Sequence, residues 1–300
     1  MPEHPTLSII VPSHGRPGAL LDCLQAVRQL EYRRDDLEVV VVDDGNAEPL
    51  ETRCAGVSDV AGIRWVRLAE NAGPAAARNE GARSARGTYL AFTDDDCLPD
   101  RRWLAALEEA FAGTPGAAVG GRVVSASHTS LYCAADQAIL DVAYAHHNAD
   151  PAHARFFSTA NLAVPAEAFH QIGGFDPHYR TAEDREFCAR WIAGGRRLVA
   201  APDAIVVHAA TSSLGRFWRR HYAFGKGAYD FRSRHTRPGG RRMRLEPSAY
   251  YGRLLLHPLR NVGIPAGAAT CVLVALSQVA SALGFLAARR AAHTSKGRML

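Results

Sequence analysis

Three consecutive aspartates, Asp94, Asp95 and Asp96, are the residues of this sequence whose type and spacing best suit chemistry. They follow the short apolar stretch Tyr89–Phe92, whose residues favour a buried strand. Because adjacent carboxylates repel one another, a cation is expected beside them. Along an extended chain Asp94 and Asp96 would point to one side and Asp95 to the other. Such a pair suits Mg²⁺ or Mn²⁺, and a solvated acidic loop is the alternative.

Strands that alternate with helices are predicted to position these acids. In such α/β sheets the strands pair in parallel through βαβ crossovers, and ligands bind at the carboxyl ends of the strands. Asp43, Asp44 and the aspartate triplet all lie at predicted strand ends. The predicted strands are 7–12, 37–42, 63–68, 89–92, 117–125, 157–165, 197–201 and 204–207. The predicted helices are 18–30, 74–85, 103–112, 131–144, 166–172 and one that starts near 181.

Several charged side chains have both a structural and a functional interpretation. Arg78 lies about one turn into its helix, where it could hold a phosphate, although its position alone favours an ordinary exposed arginine. Acids at the start of the helix near 181 would stabilise it through the helix dipole. Adjacent side chains diverge on a helix, so His146 and His147 are expected to be ordinary helix residues and not metal ligands.

Composition excludes several classes of protein. With 300 residues and 47% hydrophobic content, the chain is expected to fold as one large α/β domain or two small ones. Its six cysteines show no CxxC pair or Cys/His ligand spacing, which argues against structural zinc and against a disulfide scaffold, and favours a reducing cytoplasm. Glu3 and the short apolar run 7–11 do not resemble a signal peptide, so secretion is not expected.

The formal net charge of +5 is distributed unevenly along the chain. Residues 1–210 contain 19 Lys and Arg against 28 Asp and Glu, whereas residues 211–300 contain 16 against 2. Such a basic third is expected to contact a polyanion, either lipid headgroups or nucleic acid. It includes an aromatic and basic helix around Trp218 and Tyr222, and a flexible loop at 232–244 with six arginines.

Residues 262–288 form a segment of 27 residues without a charge, which is long enough to cross a bilayer. Arginines flank it on both sides, so a single span would satisfy only one flank if both prefer the cytoplasm. A re-entrant hairpin broken near Gly263–Gly267, or a helix that lies in the membrane interface, would satisfy both. A soluble helix used for packing or dimerisation is the remaining alternative.

Seven motifs occur in order along the chain: Ser8–Pro12, Val41–Gly45, Gly73–Asn79, Thr93–Asp96, Ile172–Asp176, Glu183–Asp184 and His208. Together they resemble the inverting family-2 glycosyltransferases, which have the GT-A fold and use nucleotide-diphospho-sugars and a divalent metal. The resemblance covers about residues 6–225. It implies an α/β fold with a Rossmann-like, mostly parallel sheet flanked by helices. The implied domains are a catalytic domain at 1–210, a basic amphipathic helix and loop at 211–261, and an apolar helical segment with a basic tail at 262–300.

The resemblance implies a role for each matching residue. The metal would bind Asp94, Asp96 and His208, and Asp184 would be the catalytic base, with Glu183 beside it. Asp184 is expected to keep its ordinary pKa, so that it is ionised at neutral pH and need only be positioned. Asp95 would contact sugar or ribose. The remaining nucleotide-site residues would be Pro12, Ser13, His14, Arg16, Asp43, Asp44 and Arg78, and the floor of the sugar and acceptor site would be Asn161, Gly174, Phe175 and Asp176.

Two departures from the family pattern bear on activity. The first loop reads Ser13-His-Gly-Arg16, where many members have Thr or Ser, Tyr or Phe, Asn and Arg. The Gln-x-x-Arg-Trp motif of processive polymerases is absent, and the corresponding region reads Arg219-Arg-His-Tyr-Ala-Phe-Gly-Lys226. Transfer of one or a few sugars is therefore expected.

The resulting hypothesis is a bacterial-type inverting hexosyltransferase. It would move a sugar to a glycan or lipid-linked acceptor in cell-envelope or glycolipid synthesis, at the anionic inner face of the cell membrane. Nucleic acid is not an expected partner, and self-association is left open. The alternatives are a metal-dependent nucleotidyltransferase or phosphotransferase, and a non-catalytic membrane-surface protein that keeps the fold.

Overall fold

The computed structural model describes residues 6–57, 62–127, 130–209, 213–235, 246–261 and 264–297. The chain forms two compact units. Unit 1 comprises Met1–Val124 and Asn148–Ala209, and unit 2 comprises Ser125–His147 and Ala210–Leu300. Unit 2 therefore takes in one segment from the middle of the chain. The functional division into a catalytic domain and two C-terminal regions stays a prediction.

Unit 1 contains a sheet of eight strands in the order β3-β2-β1-β4-β7-β6-β8-β5. Strands β1, β2, β3 and β4 pair in parallel, whereas the β4/β7, β6/β7 and β5/β8 pairs are antiparallel. The predicted α/β class with crossover helices is confirmed. The strands are β1 Leu7–Ser13, β2 Leu37–Asp43, β3 Ile63–Arg67, β4 Tyr89–Phe92, β5 Cys97–Pro99, β6 Ala118–Ser125, β7 Leu162–Pro165 and β8 Leu198–His208.

The central strands are continuous runs of Val, Ile and Leu because helices cover both faces of a parallel sheet. Every residue of β1 is buried, and six of the seven residues of β2 are. The register pairs Ser13 with Asp43, and Ile10 with Phe92 at the end of β4. The carboxyl ends of β1, β2 and β4 therefore meet at one edge, and that edge carries the aspartates.

Three helices of unit 1 begin where the sequence places proline or several acidic residues. Pro17 and Pro74 occupy the first turns of α1 and α3, where a missing backbone N–H costs nothing. Three acids lie in the first turn of α7, where the helix dipole favours them. These helices are α1 Pro17–Arg28, α2 Leu50–Arg53, α3 Pro74–Ser84, α4 Trp103–Gly113, α6 Ala166–Gln171 and α7 Glu183–Ala193.

The structure corrects three of the predicted strands. One strand, β8, replaces the two predicted at 197–201 and 204–207, because Pro202 and Asp203 lie at exposed positions where proline does not interrupt the strand. The strand predicted at 157–165 is confined to β7, and its polar head Thr159–Asn161 forms a 3₁₀ turn. Strand β5 was not predicted; it has three residues and pairs with β8.

Unit 2 is helical. A core of small and apolar side chains lies between its helices, formed by Ala135, Ala138, Val142, Phe217, Leu254 and Val274. Asp136 forms an ion pair with Arg220, and its Oδ1 lies 3.0 Å from Nε2 of His221. These contacts form a polar network beside the core. The helices are α5 Leu131–His147, α8 Leu214–His235, α9 Ser248–Asn261 and α10 Ile264–Gly297.

Two predicted features of the basic third lie partly or wholly outside the described residues. The arginine-rich loop predicted at 232–244 begins as the last turn of α8, and its residues from 236 onward are not described. Of the predicted hairpin break near Gly263–Gly267, residue 263 is not described, and residues 264–267 form the first turn of α10.

Candidate active site

The aspartate triplet lies in a tight turn between β4 and β5. The backbone N–H of Cys97 donates to the carbonyl oxygen of Asp94 at 3.1 Å, which closes the turn. The predicted alternation holds for exposure, since Asp94 and Asp96 are half-buried and Asp95 is fully buried, but the predicted extended conformation is wrong. Instead, Asp94 pairs with Arg78, Asp96 pairs with Arg16 and lies near His208, and Asp95 is fully buried.

Arg78 connects the aspartate turn to the start of α7. Its Nη2 donates to Oδ1 of Asp94 at 2.6 Å, and its Nη1 donates to Oε1 of Glu183 at 2.8 Å. The interpretation of Arg78 as an ordinary exposed arginine is wrong, because only 3% of the residue is exposed. Burial opposes the charge of Arg78, but the two carboxylates outweigh it and raise the pKa of Arg78 above its usual value.

The carboxyl groups of the turn differ in their electrostatics. Burial opposes ionisation of Asp94, yet the adjacent Arg78 outweighs burial and lowers the pKa of Asp94. Burial raises the pKa of Asp95 to about 6, although Arg16 and a hydrogen bond from Ser13 favour its ionised form. The Ser13 hydroxyl donates to Oδ2 of Asp95 at 2.6 Å, and Arg16 forms ion pairs with both Asp95 and Asp96.

Asp96 and His208 form the part of this site best suited to a metal ion. Pairing of β5 with β8 places Cys97 opposite His208, and Oδ1 of Asp96 lies 3.6 Å from Nε2 of His208. The ligand atoms of Asp96, Cys97 and His208 all lie within 4.8 Å of one another. Cys97 is fully buried, whereas Asp96 and His208 are half-buried, so the accessible donors are oxygen and nitrogen. These donors fit Mg²⁺ or Mn²⁺.

Asp43 and Asp44 brace the loops that surround the site. Asp43 accepts from the backbone N–H of Asn46 at 2.9 Å, from its side-chain amide at 2.8 Å and from the N–H of Leu50 at 3.0 Å. Burial opposes ionisation of Asp43, but these hydrogen bonds lower its pKa. Asp44 accepts from the N–H groups of Ala72 and Gly73 at 2.8 and 3.0 Å, just before α3.

The first loop is anchored to the loop after β2. Nδ1 of His14 lies 2.7 Å from the carbonyl oxygen of Asp44, and the N–H of Gly15 donates to Oδ1 of Asn46 at 2.6 Å. Gly15 has φ +73°, in the left-handed region that favours glycine. Pro12 is buried near the end of β1, and the next residue, Ser13, is hydrogen-bonded to Asp95, so the loop leaves the sheet beside the aspartate turn.

Glu183 and Asp184 open α7 after a strained residue. Ala182 has φ 69°, and it is the one non-glycine residue with a positive φ in the described part of the chain. Burial, followed by the charge of Glu183, raises the pKa of Asp184 to about 7. The expectation that Asp184 keeps an ordinary pKa is therefore wrong. Arg78 forms its ion pair with Glu183, and burial has the largest effect on the pKa of Asp184.

The segment Gly173–Asp176 is held in place by hydrogen bonds from side chains of two helices. Asn79 of α3 donates to the carbonyl oxygen of Phe175 at 2.7 Å and accepts from its N–H at 2.9 Å. Arg190 of α7 donates to the carbonyl oxygens of Ile172 and Gly174, both at 2.7 Å. Gly173 and Gly174, with φ of 89° and 66°, lie in the left-handed region and allow this sharp turn.

Phe175 lies beneath the charged centre of the site. Its ring is 5.9 Å from the Arg78 guanidinium and 5.1 Å, edge to face, from Phe92 at the end of β4. Asp176 accepts from the backbone N–H of His178 at 3.0 Å, and its Oδ1 lies 2.7 Å from the His178 ring. The segment thus packs against the core with Phe175 and places Asp176 at a half-buried position.

Asn161 is occupied inside the fold. It accepts from Nε1 of Trp103 at 2.8 Å and donates to the carbonyl oxygens of Arg122 and Ala204, each at 2.9 Å. Both amide hydrogens are used, and the residue is fully buried. Asn161 therefore has no N–H to offer a sugar, and it supports the sheet from within.

The structure brings the distant acids together in unit 1. One set of contacts runs from the Asp43 loop through Ser13 and Asp95 to Arg16 and Asp96, and a second runs from Asp94 through Arg78 to Glu183. Sequence analysis did not single out four residues that hold these parts in place. They are Asn46, Asn79, Cys97 and Arg190; Asn46 directly follows Asp43-Asp44-Gly45, and Asn79 ends the motif that begins at Gly73.

The family profile described as Glycosyl transferase family 2 matches residues 8–176, which include every residue of the aspartate turn. The chain therefore belongs to glycosyltransferase family 2.

Relatives agree with this assignment. The pre-mycofactocin glycosyltransferase of Mycobacterium tuberculosis strain H37Rv is 28% identical over 246 residues, which is 78% of this chain and 49% of that protein. The glycosyltransferase AglE of Haloferax volcanii is 27% identical over 229 residues, which is 74% of this chain and 73% of AglE. The chain thus spans about half the length of the mycobacterial relative.

Solved structures share the fold. The mannosyltransferase PcManGT from Pyrobaculum calidifontis, in complex with GDP-Man and Mn²⁺, matches 99% of this chain and 81% of its own, with a TM-score of 0.62 and 22% identity. Residues 1–349 of S. aureus TarS in complex with UDP match 91% of this chain and 90% of their own, with a TM-score of 0.55 and 15% identity. The GT-A fold implied by the sequence motifs is confirmed.

Proposed function

We propose that this chain is an inverting glycosyltransferase that moves a sugar from a nucleotide-diphospho-sugar to an acceptor hydroxyl. The observation that carries the proposal is the convergence of the aspartate turn, His208 and the Glu183–Asp184 pair at the carboxyl ends of the central strands, linked through Arg78. Ligands of such sheets bind at this edge. Family membership and the names of the relatives support the same chemistry.

The donor would be held by the loops around the acids. Asp96, His208 and Asp94 would hold Mg²⁺ or Mn²⁺, and the presence of GDP-Man and Mn²⁺ in the P. calidifontis complex supports this choice. When bound, the metal neutralises charge on the leaving diphosphate. The nucleoside would lie against Pro12, Ser13, His14, Asp43 and Asp44, with Arg16 at the diphosphate and Asp95 supporting Ser13 and Arg16 from below.

Asp184 would act as the general base. Its half-buried carboxylate takes the proton from the acceptor hydroxyl as that oxygen attacks the anomeric carbon from the face opposite the leaving group, which inverts the configuration. The pKa of about 7 makes Asp184 a stronger base than an exposed aspartate while leaving a substantial ionised fraction at neutral pH. Arg78, held by Glu183, fixes the start of α7 relative to the aspartate turn.

The segment Gly174–Asp176 would form the floor of the sugar and acceptor site, with Asp176 as its polar contact and Phe175 as its apolar support. Asn161 would support the sheet without touching the sugar. The absence of the Gln-x-x-Arg-Trp motif supports transfer of one or a few sugars and not processive polymerisation.

We also place the acceptor at the cytoplasmic face of the cell membrane, as a lipid-linked or cell-envelope glycan. The 16 cationic residues against 2 acidic ones in residues 211–300 support this location. So does α10, because Pro265–Thr294 is long and apolar enough to cross a membrane by length and composition.

A thermal-shift screen of UDP-, GDP- and dTDP-sugars with Mn²⁺ tests donor use, since a ligand that binds the native state raises its melting temperature. Mass spectrometry of the products with cell-envelope acceptors then distinguishes a sugar adduct from a phosphate adduct. We expect a sugar adduct and released nucleoside diphosphate, and we expect Asp96→Ala and Asp184→Ala each to abolish that release. A phosphate or nucleotidyl adduct would instead support the phosphotransferase alternative.

A further inference from the structure

Helix α10 exposes a row of apolar side chains at its surface, and it buries two hydroxyl side chains beside the apolar Val274. Thr270 and Ser277 are fully buried, whereas Val272 and Val279 are 60% and 50% exposed. Water-soluble bundles have the opposite arrangement, and a long exposed apolar surface marks an interaction site. We call the exposed apolar side chains of α10 the apolar stripe; it spans about 32 Å at the rise of a helix. Its residues are Pro265, Ala268, Val272, Ala275, Val279, Ala282, Leu283 and Leu286.

The inner face of α10 is built for close packing inside unit 2. A Cβ on Gly284 would overlap the carbonyl oxygen of Tyr222 in α8, and a Cβ on Gly225 would overlap that of Ser281 in α10. The buried Thr270 hydroxyl donates within α10 to the carbonyl oxygen of Ala266 at 2.8 Å. Small residues that let helix backbones approach, with polar side chains satisfied inside, are typical of helix pairs whose outer surface faces lipid.

Helix α9 packs against α10 at Gly267, and it adds exposed apolar side chains and positive charge. Leu255, Leu256 and Leu259 are 39%, 53% and 39% exposed, and the exposed Arg253 and Arg260 flank them. On α10, the exposed Arg289 and Arg290 follow the end of the apolar stripe. A row of apolar side chains bordered by arginines matches an interface in which hydrocarbon lies beside anionic headgroups.

The packing of α8 against α10 argues against a transmembrane orientation. Exposed cations occur along the whole of α8, at Arg216, Arg219, Lys226 and Arg234. If α10 crossed the bilayer, α8 would be carried into the hydrocarbon with these charges, which are costly to bury at the bilayer centre. If α10 lies in the plane of the interface, the cations of α8 remain in water.

We propose that the apolar stripe of α10, together with the exposed leucines of α9, lies parallel to an anionic bilayer surface and attaches the protein to one leaflet without crossing it. This inference deepens the membrane location proposed above and does not depend on sugar transfer. It selects the interfacial helix from the alternatives that the sequence left open.

Vesicle binding by the full chain tests the surface. Val279→Glu and Leu283→Glu, combined, should lower partitioning onto phosphatidylglycerol/phosphatidylcholine vesicles about tenfold or more, because two apolar contacts are lost. Leu214→Glu is the matched control, since Leu214 is 48% exposed on α8 and does not belong to the stripe, and this variant should bind as the parent does. Equal binding by the stripe variant, with its circular dichroism melt unchanged, overturns the proposal.

Replacement of charge tests the borders of the surface. Changing Arg253, Arg260, Arg289 and Arg290 to glutamine should reduce binding to vesicles that contain phosphatidylglycerol and remove most of its dependence on salt. The remaining affinity should match that for vesicles of phosphatidylcholine alone. A variant that keeps the salt dependence of the parent overturns the assignment of these arginines to the headgroups.

Depth measurements test the orientation. Nitroxide labels on Val272→Cys, Val279→Cys and Leu286→Cys, in a Cys271→Ser background, should report similar shallow depths on vesicles. Depths that pass from one headgroup region through the bilayer centre to the other would mean a transmembrane helix and would overturn the proposal. The proposal would also be overturned if the chain does not bind vesicles and instead forms a dimer that Val279→Glu dissociates. Hydrolysis of a soluble nucleotide sugar, measured in parallel, reports the catalytic proposal separately.

Discussion

The two units of this chain place charge and apolar surface in opposite ways. Unit 1 buries charged groups in pairs beside an apolar sheet, as at Arg78 with Asp94 and Glu183. Unit 2 buries hydroxyls and glycines between helices and exposes valine and leucine on α10. Buried charge persists only where partners are fixed, which favours a site for charged ligands. Exposed apolar surface of this extent persists only where something apolar covers it.

The largest expected effect is loss of transfer on removal of the base in unit 1. Asp184→Asn should lower kcat by about 10²–10⁴-fold, because general-base assistance is lost. In the parent, kcat/KM should rise with pH up to about 7 and then level off, because Asp184, whose pKa is raised, must lose its proton to act. Steady-state kinetics from pH 5 to 9 measure both. A variant with the activity of the parent would show that another group takes the proton.

The next effect concerns the buried pairing that distinguishes unit 1. Arg78→Met should lower the free energy of unfolding by about 3–5 kcal/mol, since it leaves the carboxylates of Asp94 and Glu183 without their partner. Urea denaturation measures the change. Arg83→Met on the same helix is the control, because Arg83 is exposed and pairs only at the surface with Glu80. Equal effects at the two positions would mean that the buried pairing contributes nothing.

A smaller loss of stability is expected from the helix contact that distinguishes unit 2. Gly284→Ala should cost about 1–3 kcal/mol, because a Cβ there would overlap the carbonyl oxygen of Tyr222. Gly215→Ala is the matched control: no atom lies within 4 Å of its Cβ position, and alanine favours a helix. Thermal unfolding of both variants makes the comparison. If Gly284→Ala is as stable as Gly215→Ala, the close packing of α8 with α10 is wrong.

The smallest expected effect is a change in Mn²⁺ affinity when the positive charge of Arg16 is removed from the aspartate turn. Arg16 pairs with Asp96, so its guanidinium competes with a metal for that carboxylate. Arg16→Gln should therefore bind Mn²⁺ alone a fewfold more tightly, as measured by electron paramagnetic resonance of free Mn²⁺. Arg28→Gln, at the other end of α1, should bind as the parent does. Weaker Mn²⁺ binding by Arg16→Gln would mean that Arg16 organises the metal site and does not compete for it.

Much of unit 1 follows from local sequence. Buried runs such as Leu7–Ser13, and helices opened by Pro17 and Pro74, are determined by residues close together in the chain. The pairing of Arg78 with Glu183 spans 105 positions, and no local pattern indicates it. Strand β5 is too short for a periodic signal, although it positions Asp96 beside His208.

The orientation of α10 illustrates the same limit in unit 2. Its length and lack of charge are visible in the sequence, and its helix was among the predicted alternatives. Alanine, valine and leucine occur on all its sides, so periodicity does not show which face packs inward. That choice depends on Gly225 and Gly284, which meet the opposite helix only in the folded chain. The raised pKa of Asp184 likewise depends on burial that neighbouring residues do not determine.

The central claim is that Asp96 and its neighbours bind a nucleoside diphosphate through a divalent metal. The nearby base, Asp184, is not needed for that binding. Isothermal titration calorimetry of the full chain with UDP, GDP and dTDP, with and without Mn²⁺, tests it directly. We predict that at least one of these nucleotides binds at least about tenfold more tightly with Mn²⁺, that Asp96→Asn loses this gain, and that Asp184→Asn keeps it. Binding that is independent of Mn²⁺, or unchanged in Asp96→Asn, would contradict the account.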